Sequence, residues 1–322
     1  MNEGVLERLI KQYLELGFPL SVFIWQGGEP TLCGLEFFKK AVELEKRYAR
    51  PEQVIGNAFQ TNGILIDENW AEFFAQNNFL VGLSLDGPEQ VHNFYRKTSS
   101  GKGSFDRVWR AVEILRKKQV EFNILCMVTK NSASKAGELY KFFKDAHLNY
   151  LQFIPALEPD PETGKLADFS PSPEEYREFL IELFERWWED NRRISIREFD
   201  WLISPKTIDR PCIFSEHCSA YLVVEHNGDL YPCDFFVKKD LLLGNISDNK
   251  SLVKSFKKRQ QSFSVRKHWL SPSCRACKWL RLCWGGCLRE RKLKDNPDPK
   301  KSIYCSSYRA LFERASQKIT AL

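Results

Sequence analysis

Residues 20–31 read Leu-Ser-Val-Phe-Ile-Trp-Gln-Gly-Gly-Glu-Pro-Thr, an apolar run followed at once by a glycine-containing loop. The apolar run Leu20–Trp25 predicts a short strand, and the helical spacing of apolar residues in Leu35–Tyr48 predicts a helix after the loop. Strand, turn and helix then alternate, and four further strands are predicted at residues 54–60, 80–85, 122–128 and 150–154. Apolar strands that alternate with amphipathic helices are typical of a parallel sheet, so the predicted fold class is α/β.

The loops that follow the first three predicted strands carry unusual sequences. They read GGEP at residues 27–30, QTNG at 60–63 and SLDGP at 84–88. Parallel sheets of this kind bind ligands at the carboxyl ends of their strands, and glycines allow the backbone to approach a ligand closely. Each loop taken alone would also suit an ordinary turn between strand and helix. Their shared position favours a ligand site.

Eight of the ten cysteines lie between residues 212 and 305. Their order is Cys212-x5-Cys218-x14-Cys233, then Cys274-x2-Cys277-x5-Cys283-x3-Cys287, then Cys305. Four thiolates complete the coordination of a zinc ion or an iron–sulfur cluster, so the spacing predicts two such centres and leaves the metal open. A turn at residues 227–228 predicts a β-hairpin that brings Cys218 and Cys233 to the same end. The five histidines show no metal-ligand spacing and are predicted to be surface or locally hydrogen-bonded residues.

Composition limits the class of protein further. The chain has 322 residues and a net charge of +6, and its basic residues are scattered in short runs. Because aromatic residues are not interleaved among them, these runs do not predict nucleic-acid binding. The N-terminus does not resemble a signal peptide and no apolar run could span a membrane, so the chain is predicted to be cytoplasmic. Thiols stay reduced there, which favours metal binding over disulfides, and the isolated Cys33 and Cys126 are predicted core thiols.

Five motifs together resemble one known family, the anaerobic sulfatase-maturating enzymes. Four of them are residues 23–31 (FIWQGGEPT), 60–63 (QTNG), 81–88 (VGLSLDGP) and 231–235 (YPCDF), and the fifth is the cysteine pattern of residues 274–305. Members of this family are radical S-adenosylmethionine (SAM) enzymes with a C-terminal SPASM domain. The resemblance covers essentially the whole chain. It implies a (β/α)6 radical-SAM barrel at residues 1–198 and a cysteine-rich SPASM domain with a β-hairpin and two iron–sulfur clusters at residues 199–322.

One family motif does not occur in the chain. In the family, a CxxxCxxC loop after the first barrel strand holds the cluster that binds SAM, and the 322 residues contain no such spacing. The chain also begins on a predicted helix and has five predicted strands where the family has six. We therefore expect a partial barrel that lacks its first strand. Either the sequence is a fragment, or the protein is a family member that has lost the radical step.

The resemblance implies a role for several individual residues. Residues matched to SAM contacts are Gly28, Ser84, Arg96 and Leu157. Gln26 matches a residue that faces the substrate peptide, and Asp234 matches the general base. The ligands implied for auxiliary cluster I are Cys212, Cys218, Cys233 and Cys287. Those implied for auxiliary cluster II are Cys274, Cys277, Cys283 and Cys305.

The resemblance also implies the reaction and its participants. The expected activity is oxidation of a sulfatase cysteine or serine to formylglycine. The expected cofactors are two auxiliary [4Fe-4S] clusters, with SAM and a third [4Fe-4S] cluster in the intact family. The expected partners are an unfolded or nascent sulfatase polypeptide and an electron donor such as flavodoxin or ferredoxin, and the protein is expected to be a monomer.

Two other functions remain open at this point. One is a different peptide-modifying SPASM enzyme, for example one that forms thioether cross-links. The other is a catalytically silent iron–sulfur or zinc protein that only binds a partner.

Overall fold

The computed structural model describes residues 1–204, 208, 210–218, 221–248 and 251–320. The chain divides into two compact units that interleave along the sequence. The first unit comprises residues 1–82, 110–122 and 218–266, and the second comprises 83–109, 123–217 and 267–322. The predicted domain boundary between residues 198 and 199 stays a prediction.

Helices and strands alternate through the first two-thirds of the chain. In order they are α1 (Glu3–Glu15), β1 (Leu20–Trp25), α2 (Leu35–Tyr48), β2 (Val54–Thr61), α3 (Glu68–Gln76), β3 (Phe79–Ser84), α4 (Glu89–Tyr95), α5 (Phe105–Lys117), β4 (Phe122–Val128), α6 (Ala136–Asp145), β5 (Tyr150–Pro155), α7 (Pro173–Glu189), β6 (Ser195–Ile196) and α8 (Arg197–Ile203). Short elements then dominate, namely β7 (Val223–Val224), β8 (Asp229–Tyr231), β9 (Gly244–Asn245), α9 (Ser251–Ser262), α10 (Pro272–Arg275), α11 (Leu280–Cys283), α12 (Leu288–Arg291) and α13 (Cys305–Thr320). Within the described ranges, no helix is both long and apolar enough to cross a membrane.

The main sheet has six strands in the order β1-β2-β3-β4-β5-β6. The parallel α/β prediction is confirmed, and all five predicted strands are present. The count of five is wrong, because Ser195–Ile196 adds a sixth strand parallel to β5, with Ser195 opposite Tyr150. A strand of two residues carries too little alternation of apolar and polar side chains for the sequence to predict it.

The first of two apolar cores in the first unit surrounds α1. Leu6, Ile10 and Leu14 recur every four residues on one face of that helix and are buried against Phe23 of β1 and the α2 residues Ala41 and Leu44. The helix begins at an Asn2 cap, whose side chain accepts a hydrogen bond from the backbone N–H of Val5. This packing fixes β1, and therefore the start of the GGEP loop, against two helices.

A second core of the first unit lies under the three-stranded sheet β7-β8-β9. The predicted hairpin is confirmed as the antiparallel pair β7 and β8, and β9 extends it. Leu230, Leu243 and Ile246 are buried here together with Leu252 of α9. The turn requires glycine at Gly228, because φ is +88° and a Cβ atom would lie 2.7 Å from the Ile246 side chain.

In the second unit, α7 and α13 pack through aromatic residues. Tyr176 of α7 lies 6.3 Å from Tyr308 of α13 and 4.8 Å from Tyr304, the residue before α13, measured between ring centroids. The Tyr304 hydroxyl donates to the Pro171 carbonyl at 2.9 Å. The predicted Ser172 cap of α7 is confirmed, since Ser172 and Glu175 form a reciprocal capping box. The helix that follows the last cysteine is thereby held against the helix of the α/β region.

The two isolated cysteines have different environments. Cys126 is fully buried in β4, as predicted for a core thiol. The same prediction for Cys33 is wrong, because this residue is the exposed last residue of the 3₁₀ turn Pro30–Cys33. Its neighbour Leu32 is 75% exposed, so the second half of the turn faces solvent, whereas Pro30 and Thr31 are buried.

A buried carboxyl group in α2 predicts a pH dependence of stability. Burial raises the pKa of Glu45 from 4.5 to about 7, although its hydrogen bond from Asn57 opposes the shift. The unfolded chain then loses its proton at lower pH than the folded chain. The free energy of unfolding is therefore expected to fall by about 2–3 kcal/mol through this group as pH rises from about 4.5 to 7.

Glu45→Gln is expected to remove this loss, because an amide does not ionise. Urea unfolding of the wild type and the variant at pH 5 and pH 8 measures the difference. The matched control is Glu43→Gln, an exposed position on the same helix, whose carboxyl pKa is lowered by the Lys40 hydrogen bond. A difference between wild type and Glu45→Gln that stays constant from pH 5 to pH 8 would contradict the prediction.

Candidate active site and cluster ligands

In the first unit, the carboxylate of Glu29 ties together two of the predicted loops. Its Oε1 accepts hydrogen bonds from the hydroxyls of Thr31 and Thr61, both at 2.7 Å. Its Oε2 accepts the Asn62 backbone N–H at 2.7 Å. The GGEP loop after β1 is thus fixed to the QTNG loop after β2. Sequence reasoning did not assign a role to Glu29, although its position in the GGEP motif could have marked it as a functional residue.

The glycines of the same loop leave space beside the backbone. Gly27 and Gly28 have φ values of +100° and +56°, a region that favours glycine. A Cβ atom at either position would meet no atom within 4 Å. The loop therefore needs glycine for its backbone conformation, and the space beside Gly28 is open. The contact of Gly28 with SAM stays a prediction.

Gln26 and Asp234, predicted to face the substrate and to act as the base, contact each other within the first unit. Gln26 Nε2 donates to Asp234 Oδ2 at 3.3 Å. The Tyr221 hydroxyl donates to Asp234 Oδ1 at 2.7 Å, and the Cys233 thiol lies 3.1 Å from the same oxygen. The Asp234 carboxylate is therefore oriented from both sides and is half-buried. Sequence reasoning missed Tyr221, which begins the segment that leads into the predicted hairpin.

In the second unit, Arg96 is held by a buried carboxylate. Its Nε and Nη2 donate to the two oxygens of Asp86 at 2.5 and 3.1 Å, and Asp86 also accepts the Met127 backbone N–H at 2.9 Å. Asp86 is only 5% exposed. A bidentate pair fixes the plane of the guanidinium group. Within the residues that the structure describes, Nη1 is the guanidinium nitrogen left to meet a ligand carboxylate.

His92 completes the support of Arg96. Its Nδ1 accepts the Asp86 backbone N–H at 3.3 Å, which leaves Nε2 to donate to Ser104 Oγ at 3.0 Å. Ser104 Oγ in turn donates to the Arg96 carbonyl at 3.0 Å. Burial lowers the pKa of His92 to about 4, so the ring stays neutral and keeps this tautomer. The prediction of a locally hydrogen-bonded histidine holds for this residue.

The two remaining predicted SAM contacts also lie in the second unit. Ser84 is the last residue of β3 and is 9% exposed. Leu157 follows β5 by two residues and is 3% exposed. Both therefore follow the carboxyl ends of strands, which is where ligands bind in this fold class. Their contacts with SAM stay predictions.

The four cysteines predicted for auxiliary cluster II all belong to the second unit. Burial raises the pKa of Cys283 to about 12 and also raises those of Cys274 and Cys305. Cys305 adds to the shifts of Cys274 and Cys283, and Cys277 adds to that of Cys305, so the Cys305 thiol lies within electrostatic reach of the other three. A buried thiolate needs a compensating cation. The four thiols are therefore candidate metal ligands, and their assignment to cluster II stays a prediction.

Two cysteines predicted for auxiliary cluster I, Cys212 and Cys287, lie in the second unit, and Cys218 and Cys233 lie in the first. Cys287 caps α12, where its backbone N–H donates to Glu290 Oε2 at 3.1 Å. Burial raises the Cys287 pKa to about 12, Glu290 and Cys212 add to the shift, and the Lys267 ammonium opposes it. Burial and the Glu290 carboxylate disfavour the Cys287 thiolate, and a bound metal ion would stabilise it.

The chain between Cys283 and Cys287 is fixed by a buried arginine. Arg291 is 2% exposed, and its guanidinium donates to the carbonyls of Gly285 at 3.0 Å and Trp284 at 2.7 Å. Gly285 has φ of +71°, and a Cβ atom there would lie 2.7 Å from Arg291 Nη2. Glycine is therefore required in this turn, and the arginine holds both cysteines in a defined spacing.

Comparison with protein families supports the two predicted parts of the chain. Residues 1–143 match the radical SAM superfamily, and residues 212–278 match the SPASM iron-sulfur cluster-binding domain. A "Cysteine-type anaerobic sulfatase-maturating enzyme" of Clostridium perfringens is 42% identical over 99% of this chain and 88% of its own length. A "Serine-type anaerobic sulfatase-maturating enzyme" of Bacteroides thetaiotaomicron is 35% identical over 98% of this chain and 81% of its own length.

Solved structures agree with these relatives. The structure titled "Native anSMEcpe with bound AdoMet and Kp18Cys peptide" is 41% identical, with a TM-score of 0.93 over 100% of this chain and 90% of that chain. Streptococcus suis SuiB, at 17% identity and a TM-score of 0.59 over 93% of this chain and 68% of that chain, shares the fold.

The fold and the two matched regions define a radical SAM enzyme with a SPASM domain. Within that class, the chain belongs to the anaerobic sulfatase-maturating enzymes. The radical SAM and SPASM regions imply that the protein uses iron–sulfur clusters.

Proposed function

We propose that this protein oxidises a cysteine or serine of a sulfatase polypeptide to formylglycine, with Asp234 as the general base. The contact of Gln26 and Tyr221 with the two oxygens of Asp234 carries the proposal. It puts an oriented, half-buried carboxylate beside the GGEP loop of a radical SAM enzyme whose relatives are named for sulfatase maturation. The rival functions, a thioether-forming enzyme or a silent binding protein, lack a comparable observation.

The reaction removes a hydrogen atom, a proton and an electron from the substrate side chain. When bound, SAM with its cluster would supply the radical that takes the hydrogen atom from Cβ, and the auxiliary clusters would carry the remaining electron. Asp234 receives the hydroxyl or thiol proton. A serine then yields the aldehyde directly. A cysteine yields a thioaldehyde, and water converts this to the aldehyde with release of hydrogen sulfide.

The neighbours of Asp234 suit it to this role. The Tyr221 hydroxyl donates a hydrogen bond to Oδ1 and fixes the rotation of the carboxylate. Gln26 contacts the other oxygen from the loop after β1, and its exposed amide can also bind a peptide group of the substrate. The Asp234 carboxylate is therefore held in one orientation before the substrate arrives.

We assign the cofactors as follows. Cys212, Cys218, Cys233 and Cys287 would hold auxiliary [4Fe-4S] cluster I, and Cys274, Cys277, Cys283 and Cys305 would hold auxiliary [4Fe-4S] cluster II. Gly28, Ser84, Arg96 and Leu157 would contact SAM. The 322 residues contain no CxxxCxxC, the spacing that holds the SAM-binding cluster in the family.

The proposed partners follow from the reaction. The substrate is an unfolded or nascent sulfatase, because the target residue must enter the site before the sulfatase has folded around it. A low-potential carrier such as flavodoxin or ferredoxin supplies electrons. We expect the protein itself to act as a monomer.

An assay with a sulfatase-derived peptide tests the proposal. The chain is joined to a family segment that carries CxxxCxxC ahead of Met1, loaded with iron and sulfide, and supplied with SAM and a reductant without oxygen. Two peptides, one with cysteine and one with serine at the target position, are then analysed by mass spectrometry. Aldehyde in at least one peptide is expected. A thioether cross-link, or SAM cleavage with neither peptide altered, would contradict the proposal.

A further inference from the structure

Three polar side chains outside the proposed site meet on the surface of the second unit. They belong to Glu216, His217 and His268, and their ligand atoms all lie within 4.8 Å of one another. His217 Nδ1 and His268 Nε2 are 3.1 Å apart. We propose that these residues bind a divalent transition-metal ion such as Zn²⁺, separately from the cysteine-ligated clusters.

The spacing of the two imidazoles suits a shared ion. Zinc–nitrogen bonds of about 2.0–2.1 Å at a tetrahedral angle place two nitrogen ligands about 3.3 Å apart. The observed separation of 3.1 Å is close to this value. Glu216 supplies an oxygen, and water completes the shell. Nitrogen and oxygen ligands favour zinc and similar ions, and they leave the thiolates to iron.

The two backbone segments that carry the three residues are held together before an ion binds. Lys267 is fully buried, and its ammonium donates to the Ile213 carbonyl at 2.8 Å and to the Gly286 carbonyl at 2.5 Å. This lysine joins the loop that carries Glu216 and His217 to the segment that carries His268. Little conformational entropy would be lost when an ion binds, because the two arms of the site are held together beforehand.

A second buried cation holds the other side of the site. Arg291 Nη1 donates to the carbonyls of Lys267 at 3.2 Å and Trp269 at 3.4 Å, which flank His268. The ring of Trp284 packs edge-on against His268, with centroids 6.0 Å apart. The position of the His268 ring is thus set from its backbone and from one face.

A bound ion would have a structural consequence near the clusters. The loop of residues 212–218 begins at Cys212, a proposed cluster ligand, and Glu216 and His217 follow it closely. An ion shared with His268 would cross-link this loop to the segment that leads to Cys274. This cross-link would resist oxidation, because none of the ligands of the ion is a thiol.

The sequence hid this site because its parts are far apart. His217 and His268 are separated by 51 positions, so no metal-ligand spacing is visible. The sequence predicts both histidines to be surface or locally hydrogen-bonded residues, and in the structure they are exposed and in contact with each other. A hydrogen bond between the two rings is the simpler alternative, and it needs no metal.

Histidine-specific footprinting distinguishes the two possibilities. The cluster-loaded protein is treated with diethyl pyrocarbonate with and without Zn²⁺, and labelled peptides are quantified by mass spectrometry. We expect Zn²⁺ to reduce the labelling of His217 and His268 several-fold. His226 is the internal control, since it follows Glu225 just as His217 follows Glu216 but belongs to no such group within the described part of the chain. Equal labelling of His217 and His268 with and without Zn²⁺ would overturn the proposal.

Calorimetric titration with Zn²⁺ provides the second measurement. Changes in the outer shell of a metal site already cost about ten- to a hundredfold in affinity, so loss of a ligand should cost at least about tenfold. We expect that increase in Kd for His217→Ala and His268→Ala and no change for His226→Ala. Equal Zn²⁺ affinity of all three variants and the wild type would also overturn it. Neither measurement depends on formylglycine formation, so the outcome is independent of the proposed function.

Discussion

Asp234→Asn is expected to lower formylglycine formation by about a hundredfold or more while SAM cleavage continues. A positioned general base contributes about 10²–10⁴ in rate. The amide keeps the shape of the side chain and can still accept the Tyr221 hydrogen bond through its oxygen. It cannot take up the substrate proton, so the deprotonation step alone is removed. The variant is made in the form that carries a CxxxCxxC segment, as in the peptide assay.

Mass spectrometry of the peptide and chromatography of the cleaved SAM measure the two outcomes together. Asp240→Asn is the matched control, because it makes the same change at an exposed position nearby in the sequence. Tyr221→Phe should give a smaller loss than Asp234→Asn, since it removes one hydrogen bond to the base and leaves the carboxylate in place. If Asp234→Asn forms aldehyde at the wild-type rate, Asp234 is not the base.

The α/β fold could be predicted because its signals are local. Each of the five long strands spans six to eight residues and carries several apolar side chains, and the helices between them repeat their apolar residues with helical spacing. The sixth strand was not counted from the sequence, because Ser195–Ile196 is defined by its pairing with β5 and not by its own composition. Strand β9 escaped for the same reason, since Gly244–Asn245 pairs with β8 over two residues.

The candidate site also has parts that the sequence predicts and parts that only the structure shows. Spacing singled out the eight clustered cysteines, and the resemblance to the family singled out Gln26 and Asp234. The groups that orient these residues are set by tertiary contacts, which spacing does not contain. Glu29 reaches across to the next loop, Tyr221 reaches Asp234 over 13 positions, and Asp86 reaches Arg96 over 10. Cys33 shows the opposite error, because an apolar local sequence does not ensure burial when the turn faces solvent.

The second large effect is expected at a proposed cluster ligand. Cys283→Ala should lower the iron content from about eight to about four atoms per chain after anaerobic reconstitution. Burial raises the pKa of the Cys283 thiol to about 12, so a thiolate at this position requires a bound cation. Alanine offers no ligand, and we expect the whole four-iron cluster to fail to assemble on the three remaining thiolates. The other set of four cysteines should keep its cluster.

Iron and acid-labile sulfide are measured on the same samples, together with zinc. Cys33→Ala is the control, because Cys33 is an exposed cysteine outside both proposed ligand sets. Full iron content in Cys283→Ala, or an equal loss in Cys33→Ala, would contradict the assignment of cluster II. Zinc in place of iron in the wild type would mean that the thiols hold structural metal ions. In that case no electron could leave through these centres, because zinc has no redox chemistry. The two-electron oxidation of the substrate, in which Asp234 is the proposed base, would then need another electron acceptor.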